Sequence, residues 1–223
     1  MHISILTLFP DMFGGPFDHS IVKRAKAKDQ VTIRLTNIRD FAGDKYKTVD
    51  GHPYGGGIGM VLRVDVVDRA IQSVHRESET EKIVLLDAGG TPYTQSNAKA
   101  LSTISHLILI CGHYEGVDHR IRSLVDEEIS IGDYILTGGE IPAMVLVDSI
   151  VRLLPGVLAK PEATERESFT RQILEYPQYT EPQRYKNMTV PSVLLSGNHK
   201  EIEAWRKNEA IKRTKAHRPD LTD

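Results

Sequence analysis

The chain has 223 residues, with 28 Lys+Arg against 30 Asp+Glu and 40% hydrophobic residues, enough for one large domain or a medium one with a small companion. A single cysteine, Cys111, excludes an internal disulfide framework and any cysteine-based zinc site within one chain. No stretch approaches the ~20 apolar residues of a membrane span, so a soluble, cytoplasmic protein without a membrane partner is expected.

The opening MHISILTLFP has no basic lead-in and reads as a first strand, Ile3–Leu8, rather than a signal peptide. A helix is expected over Phe17–Lys28. In the next strand, Val31–Leu35, apolar residues alternate with Thr32 and Arg34, as on a half-buried strand near an edge. Helix Val64–Glu79 follows, then strand Ile83–Leu86, helix Gln95–Ser102 and strand Leu107–Cys111. Both of these strands are continuously apolar, as central parallel strands covered on two faces would be. Helix Val117–Val125, strand Glu128–Ile131 and helix Glu140–Leu154 complete an alternation that predicts an α/β domain with a mainly parallel sheet. After Leu154 the segment PGVLAKPEATERESFTRQ is charged and broken by Pro155 and Pro161. The expected organisation is a domain over 1–160, a flexible linker over 161–174 and a small helical domain over 175–223. The last contains a helix from about Lys200 to Lys215, with Ile202, Trp205 and Ile211 along one side. Between His199 and Arg218 seven Lys/Arg stand against three acidic residues. That suits a polyanionic partner, and equally a solvated helix face.

Glycines cluster in GHPYGGGIGM (Gly51–Met60), CGHYEGVD (Cys111–Asp118) and SIGDYILTGG (Ser130–Gly139). None matches a P-loop, a dinucleotide fingerprint or a nucleophile elbow, and the nine histidines offer no zinc pattern. Two of the loops follow expected strands, where open α/β sheets bind ligands and glycine lets a backbone come close. With Leu85–Gly90 after a third strand, they suggest one pocket lined by Leu86, Tyr114, Ile131, Ile135 and Leu136. Such a pocket suits a neutral heteroaromatic held by main-chain hydrogen bonds. Taken singly, Tyr114 and Tyr134 also read as core aromatics, Arg152 as a helix C-terminal cation, and Asp118 with Arg120 as an internal ion pair.

Several motifs then stand in order along the chain: FPDMF (Phe9–Phe13), PYGGGIGM (Pro53–Met60), CGHYEGVDHR (Cys111–Arg120), SIGDYILTGGE (Ser130–Glu140), RLLPGVL (Arg152–Leu158), ESF (Glu167–Phe169), PQYTEP (Pro177–Pro182), LLSGNH (Leu194–His199) and RPDL (Arg218–Leu221). From end to end this resembles the bacterial tRNA (guanine-N1-)-methyltransferases, the TrmD family of the SPOUT class. The resemblance implies a deep trefoil knot in the α/β domain, an exception to the rule against threaded chains. It implies S-adenosylmethionine bound bent in the knot, and methylation of N1 of the guanosine immediately 3′ of the anticodon of tRNA, helping maintain the reading frame. It also implies a homodimer with both active sites at the subunit interface, and a magnesium dependence without an assigned site. Carried over by motif, the cofactor residues are Leu86, Gly112, Tyr114, Glu115, Ser130, Ile131, Gly132, Asp133, Tyr134, Ile135, Leu136, Gly138 and Gly139. The catalytic pair is Arg152 and, from the opposite subunit, Glu167, with Glu165 the alternative base. Contacts to tRNA are assigned to Asp50, Tyr54, Lys200, Arg206, Lys207 and Arg213.

The chain departs from the family pattern at three places. Glu167 stands where the family has Asp, Gly51 where it commonly has a second Asp, and Glu181 where it has Arg. Two alternatives remain at this stage: a SPOUT-class enzyme with another RNA target, and a non-catalytic RNA-binding module.

Overall fold

The computed structural model of the chain describes residues 1–75, 80–160, 164 and 167–222. They form two compact units, Met1–Ala159 and Lys160–Asp223. In the first, the strands are β1 (His2–Thr7), β2 (Thr32–Asn37), the two-residue β3 (Asp50–Gly51) and β4 (Val61–Leu62), β5 (Glu81–Pro92), β6 (His106–Cys111) and β7 (Glu127–Ser130). Strands β3 and β4 pair antiparallel; the others form one sheet in the order β2-β1-β6-β5-β7 with every neighbouring pair parallel. The α-helices of this unit are α1 (Ser20–Ala27), α2 (Val64–Val74), α3 (Gln95–Leu101) and α4 (Glu140–Val151).

Strand composition accounts for this order. All six residues of β6 are buried, and its side chains divide between two cores. Leu107, Leu109 and Cys111 pack with Val22, Leu101, Leu146 and Ile150 of α1, α3 and α4. Ile108 and Ile110 pack with Val66, Val67, Ala70 and Ile71 of α2. An apolar run fits only where both faces are covered, and the alternating β2 lies at the edge, as its pattern predicts. Leu109→Ala is expected to cost about 2–5 kcal/mol, read as a lowered denaturant midpoint without loss of two-state behaviour. At the amino ends of the strands, buried Ser4 and His106 satisfy each other (Oγ to Nε2, 2.9 Å). His106 Nδ1 meets Glu81 Oε2 at 2.6 Å, and the other oxygen of Glu81 pairs with His75.

Several expected boundaries shift for physical reasons. Strand β5 does not stop at Leu86: it arches over Asp87–Gly90 and resumes, so that both Leu86 and Thr91 pair with Ile129 of β7. The segment expected as helix Val117–Val125 is a 3₁₀ helix, His119–Leu124. The Asp118 carboxylate accepts from Arg120 N (2.9 Å) while Ile121 N donates to Asp118 O (2.9 Å), and this closes the tighter i to i+3 turn. Helix α2 ends at Val74 with His75 as its C-cap; the expected end, Glu79, lies outside the described residues. Helix α4 ends at Val151, with Arg152 as its C-cap.

The second unit holds a two-residue hairpin, β8 (Arg184–Tyr185) with β9 (Met188–Thr189), and one long helix, α5 (His199–His217). Asn198 caps α5 by accepting from Lys200 N and Glu201 N. Its buried residues are Ala210 and Thr214, whereas Ile202, Trp205 and Ile211 are half-buried. Small residues let a neighbouring segment come close: Thr214 Oγ1 accepts from Leu174 N (2.9 Å) and donates to Ala210 O (2.7 Å). Among the described residues, no helix is long and apolar enough to cross a membrane.

Candidate active site

The carboxyl ends of β5, β6 and β7 enclose a cavity of about 270 Å³ in the first unit. Parallel strands deliver their outgoing loops to one edge, and ligands of open α/β sheets bind there. Three segments make the wall: Leu86–Ala88, Gly112–Gly116 and Ile129–Gly139, with Asp133 not among the lining residues and Pro142 added from α4. Of the thirteen residues assigned to the cofactor, twelve line the cavity; Asp133 is exposed. His113, Thr137 and Pro142, to which the family motifs assign no cofactor role, also line it. His113 stands inside the CGHYEG motif between two assigned residues, and Pro142 is on the first turn of α4, one helical step from Gly139.

The loops after β6 and β7 lie side by side. His113 bridges Gly138, and Gly139 N donates to Gly112 O at 2.8 Å. Glycine is required here by close approach: a Cβ on Gly139 would stand 2.7 Å from Cys111 Cα and 2.9 Å from Gly112 N. Tyr114 adopts φ of +61°, a conformation that costs a non-glycine residue about 1 kcal/mol. Its ring meets that of His113 edge-on at 5.0 Å, and its hydroxyl accepts from the Arg39 guanidinium at 3.2 Å. The Glu140 carboxylate is buried behind the wall, one oxygen accepting from Thr7 Oγ1 at 2.8 Å. Burial, then the nearby Glu140 charge, pushes the Cys111 thiol well up, so Cys111 is a core residue and not a nucleophile.

Beside the loop, Arg120 grips Asp118 through two hydrogen bonds (2.9 and 2.7 Å), and this bond first of all holds the carboxyl down to about 2. A carboxyl lowered on folding stabilises the fold above its unfolded value near 3.9, and that contribution is lost as pH falls through about 2. The stability difference between the wild-type chain and Asp118→Asn is therefore expected to be full above about pH 5, to shrink as pH falls through about 4 and 3, and to vanish only below about pH 2 in denaturant titrations.

The sequence profile of the family described as tRNA (Guanine-1)-methyltransferase TrmD matches residues 1–223. The chain belongs to this family. It is 53% identical over 223 residues to the tRNA (guanine-N(1)-)-methyltransferase of Dictyoglomus turgidum, covering 100% of this chain and 90% of that protein. It is 54% identical over 224 residues to that of Geobacillus kaustophilus, covering 100% and 92%.

In this TrmD-family chain the remaining assigned residues divide between the units. Arg152 is half-buried at the end of α4 in the first unit. Glu167 is half-buried in the second, and Glu165 lies outside the described residues. Asp50 is on β3, and Tyr54, 99% exposed, is in the glycine loop that follows. Lys200, Arg206, Lys207 and Arg213 are on α5. A larger cavity of about 590 Å³ in the second unit brings Glu167 together with Arg206, Lys207 and Tyr176. The basic face of α5 is partly engaged already. Arg206 stacks on Tyr176 at 4.9 Å and binds Glu203 at 3.0 Å, and Arg213 donates to Glu175 O at 3.2 Å. Among the described residues no group of His, Cys, Asp or Glu is placed to hold a metal ion, so the magnesium expectation gains no site.

Proposed function

We propose that this enzyme transfers a methyl group from S-adenosylmethionine to N1 of the guanosine immediately 3′ of the tRNA anticodon, helping to hold the reading frame in the cytoplasm. The observation that carries the reading is the cavity at the ends of β5, β6 and β7, built from the same motifs that match the family end to end. The residues present fit an adenosyl ligand. Leu86, Ile131 and Leu136 offer apolar walls, and the paired glycine loops bring backbone donors and acceptors to the ligand's edge.

When bound, the cofactor supplies a methyl already activated on a sulfonium, which leaves the chain little covalent work. The pocket orients the donor against the acceptor, the proximity effect. Glu167 accepts the N1 proton as N1 attacks. Arg152 donates hydrogen bonds toward guanine O6, where negative charge gathers. The longer arm of Glu167, relative to the family's Asp, keeps the carboxylate and changes its reach.

The further parts of the reading follow the same family. The chain after β6 and the chain after β7 are threaded as a trefoil knot, supported by the hydrogen-bonded pairing of Gly112–His113 with Gly138–Gly139. The enzyme works as a homodimer in which Arg152 of one protomer faces the partner's Glu167. An uncovered apolar face supports this: Ile141 and Val145 of α4 are 47% and 42% exposed, and α4 packs beside the Pro10–Phe13 turn, whose Met12 is 43% exposed. The unit from Lys160 onward serves tRNA; on α5, Arg206 and Lys212 are held by Glu203 and Glu209, whereas Lys200, Lys207, Arg213 and Lys215 hold no ion pair among the described residues. Transfer of a tritiated methyl to tRNA transcripts with and without the target guanosine tests the whole: equal labelling of both, or of neither, overturns it.

A further inference from the structure

The Glu140 carboxylate occupies an unusual position for a charge. It is 1% exposed, and an unpaired buried carboxylate costs several kcal/mol. Two features offset part of that cost. Thr7 Oγ1 donates to Oε1 at 2.8 Å, and the carboxylate sits in the first turn of α4, where the helix dipole favours negative charge. No lysine or arginine completes the pairing among the described residues. Among the described residues the one basic group in range is His113, whose Nδ1 lies 3.9 Å from Oε2, beyond hydrogen-bonding distance. That Nδ1 is buried and has no hydrogen-bond partner among the described residues.

The Oε2 side of the carboxylate lies against the cavity wall. A Cβ built on Gly138 would run into Glu140 Oε2 and into His113 Nδ1, and both Gly138 and His113 line the cavity. A negative charge thus stands directly behind the pocket's backbone, shielded from water, with its counter-charge missing. Low local polarity lets such a charge act over several ångströms.

We infer that Glu140 is a specificity residue, the fixed counter-charge by which the pocket prefers the positively charged sulfonium of S-adenosylmethionine to the neutral thioether of its product, S-adenosylhomocysteine. This rests on the cofactor reading above. The two ligands carry the same amino-acid charges and the same adenosine, so those contributions cancel in the comparison and only the sulfur charge remains. The consequence is directional: once the methyl has left, the ligand loses the charge that Glu140 holds, and product release is favoured.

The test is calorimetric affinity of the folded chain for each ligand, without tRNA and without turnover. In Glu140→Gln, which keeps the shape and an oxygen acceptor for Thr7, affinity for S-adenosylmethionine is expected to fall about tenfold while that for S-adenosylhomocysteine stays within about twofold. Thr7→Val removes the hydroxyl and leaves the charge, and its ratio of affinities is expected to match the wild-type ratio. An unchanged ratio in Glu140→Gln, or equal weakening of both ligands, overturns the inference and leaves the cofactor reading standing. If Glu140→Gln does not fold, the wild-type pair decides: thioether binding as tight as sulfonium binding overturns it. Failure of the wild-type chain to bind either ligand overturns both readings.

Discussion

Glu167→Gln is expected to slow single-turnover methyl transfer by about 10²–10⁴-fold, with cofactor affinity unchanged. Guanine N1 is a nucleophile only as it gives up its proton, and an amide cannot take it. Arg152→Ala is expected to lose about 10²–10³-fold, since the charge gathering on guanine O6 then has no donor. The two changes share a signature that separates chemistry from folding. Both leave the melting temperature and the calorimetric affinity for S-adenosylmethionine near wild type while the rate of the methyl-transfer step collapses. Mixing the two inactive proteins tests the shared site. Where each site joins Arg152 of one protomer with the partner's Glu167, a mixed dimer holds one intact site. Random exchange then restores roughly a quarter of the wild-type rate. A near-wild-type rate for Glu167→Gln removes it as the base. No recovery on mixing removes the two-subunit site.

The second large effect is expected from one methyl group. In Gly139→Ala the added carbon meets backbone, Cys111 Cα at 2.7 Å and Gly112 N at 2.9 Å, where no side chain can swing aside. The start of α4 and the end of β6 must part, at a cost of about 1–3 kcal/mol. A melting temperature lower by roughly 2–10 °C is expected. Because the parted segments are cavity walls, affinity for the cofactor falls with it, by about tenfold or more. Gly43→Ala, with nothing within 4 Å of the added carbon and no left-handed backbone, is the matching control and is expected to change neither measurement.

Much of the fold is legible in the sequence because parallel strands buried on both faces leave an unmistakable pattern. The run Leu107–Cys111 predicts the central strand, and the alternation of Val31–Leu35 predicts the edge. What the pattern hides is local chemistry. Polar Asp87 and two glycines read as a loop, yet the backbone arches there and rejoins β7. Ile121, Leu124 and Val125 are spaced as on an α-helix, yet the Asp118 side chain tightens the turn into a 3₁₀ helix. In α5, apolar size suggests Ile202, Trp205 and Ile211, while close packing selects Ala210 and Thr214, which carry little apolar signal. The cavity was legible from glycine loops after strands. His113 and Glu140 were not singled out because their roles come from what packs behind the loop, and no spacing in one dimension records that. The thread of the knot proposed above would escape for a related reason: periodicity reports which face a residue shows, not the order in which the chain passes through itself.

Helix α4 is one unbroken element of 12 residues, about 18 Å long. Its first turn carries Pro142 at the cavity with Glu140 behind the wall, the exposed apolar pair Ile141 and Val145 stands on its first two turns, and its far end hands on to Arg152. A stiff rod bends little over that length, so a push at one end arrives at the other undiminished. On the reading proposed above, pocket filling, subunit pairing and the aim of the arginine are coupled through this one helix. If Arg152 has the role proposed, a small molecule that props the first turn out of place is expected to disarm the arginine without touching it.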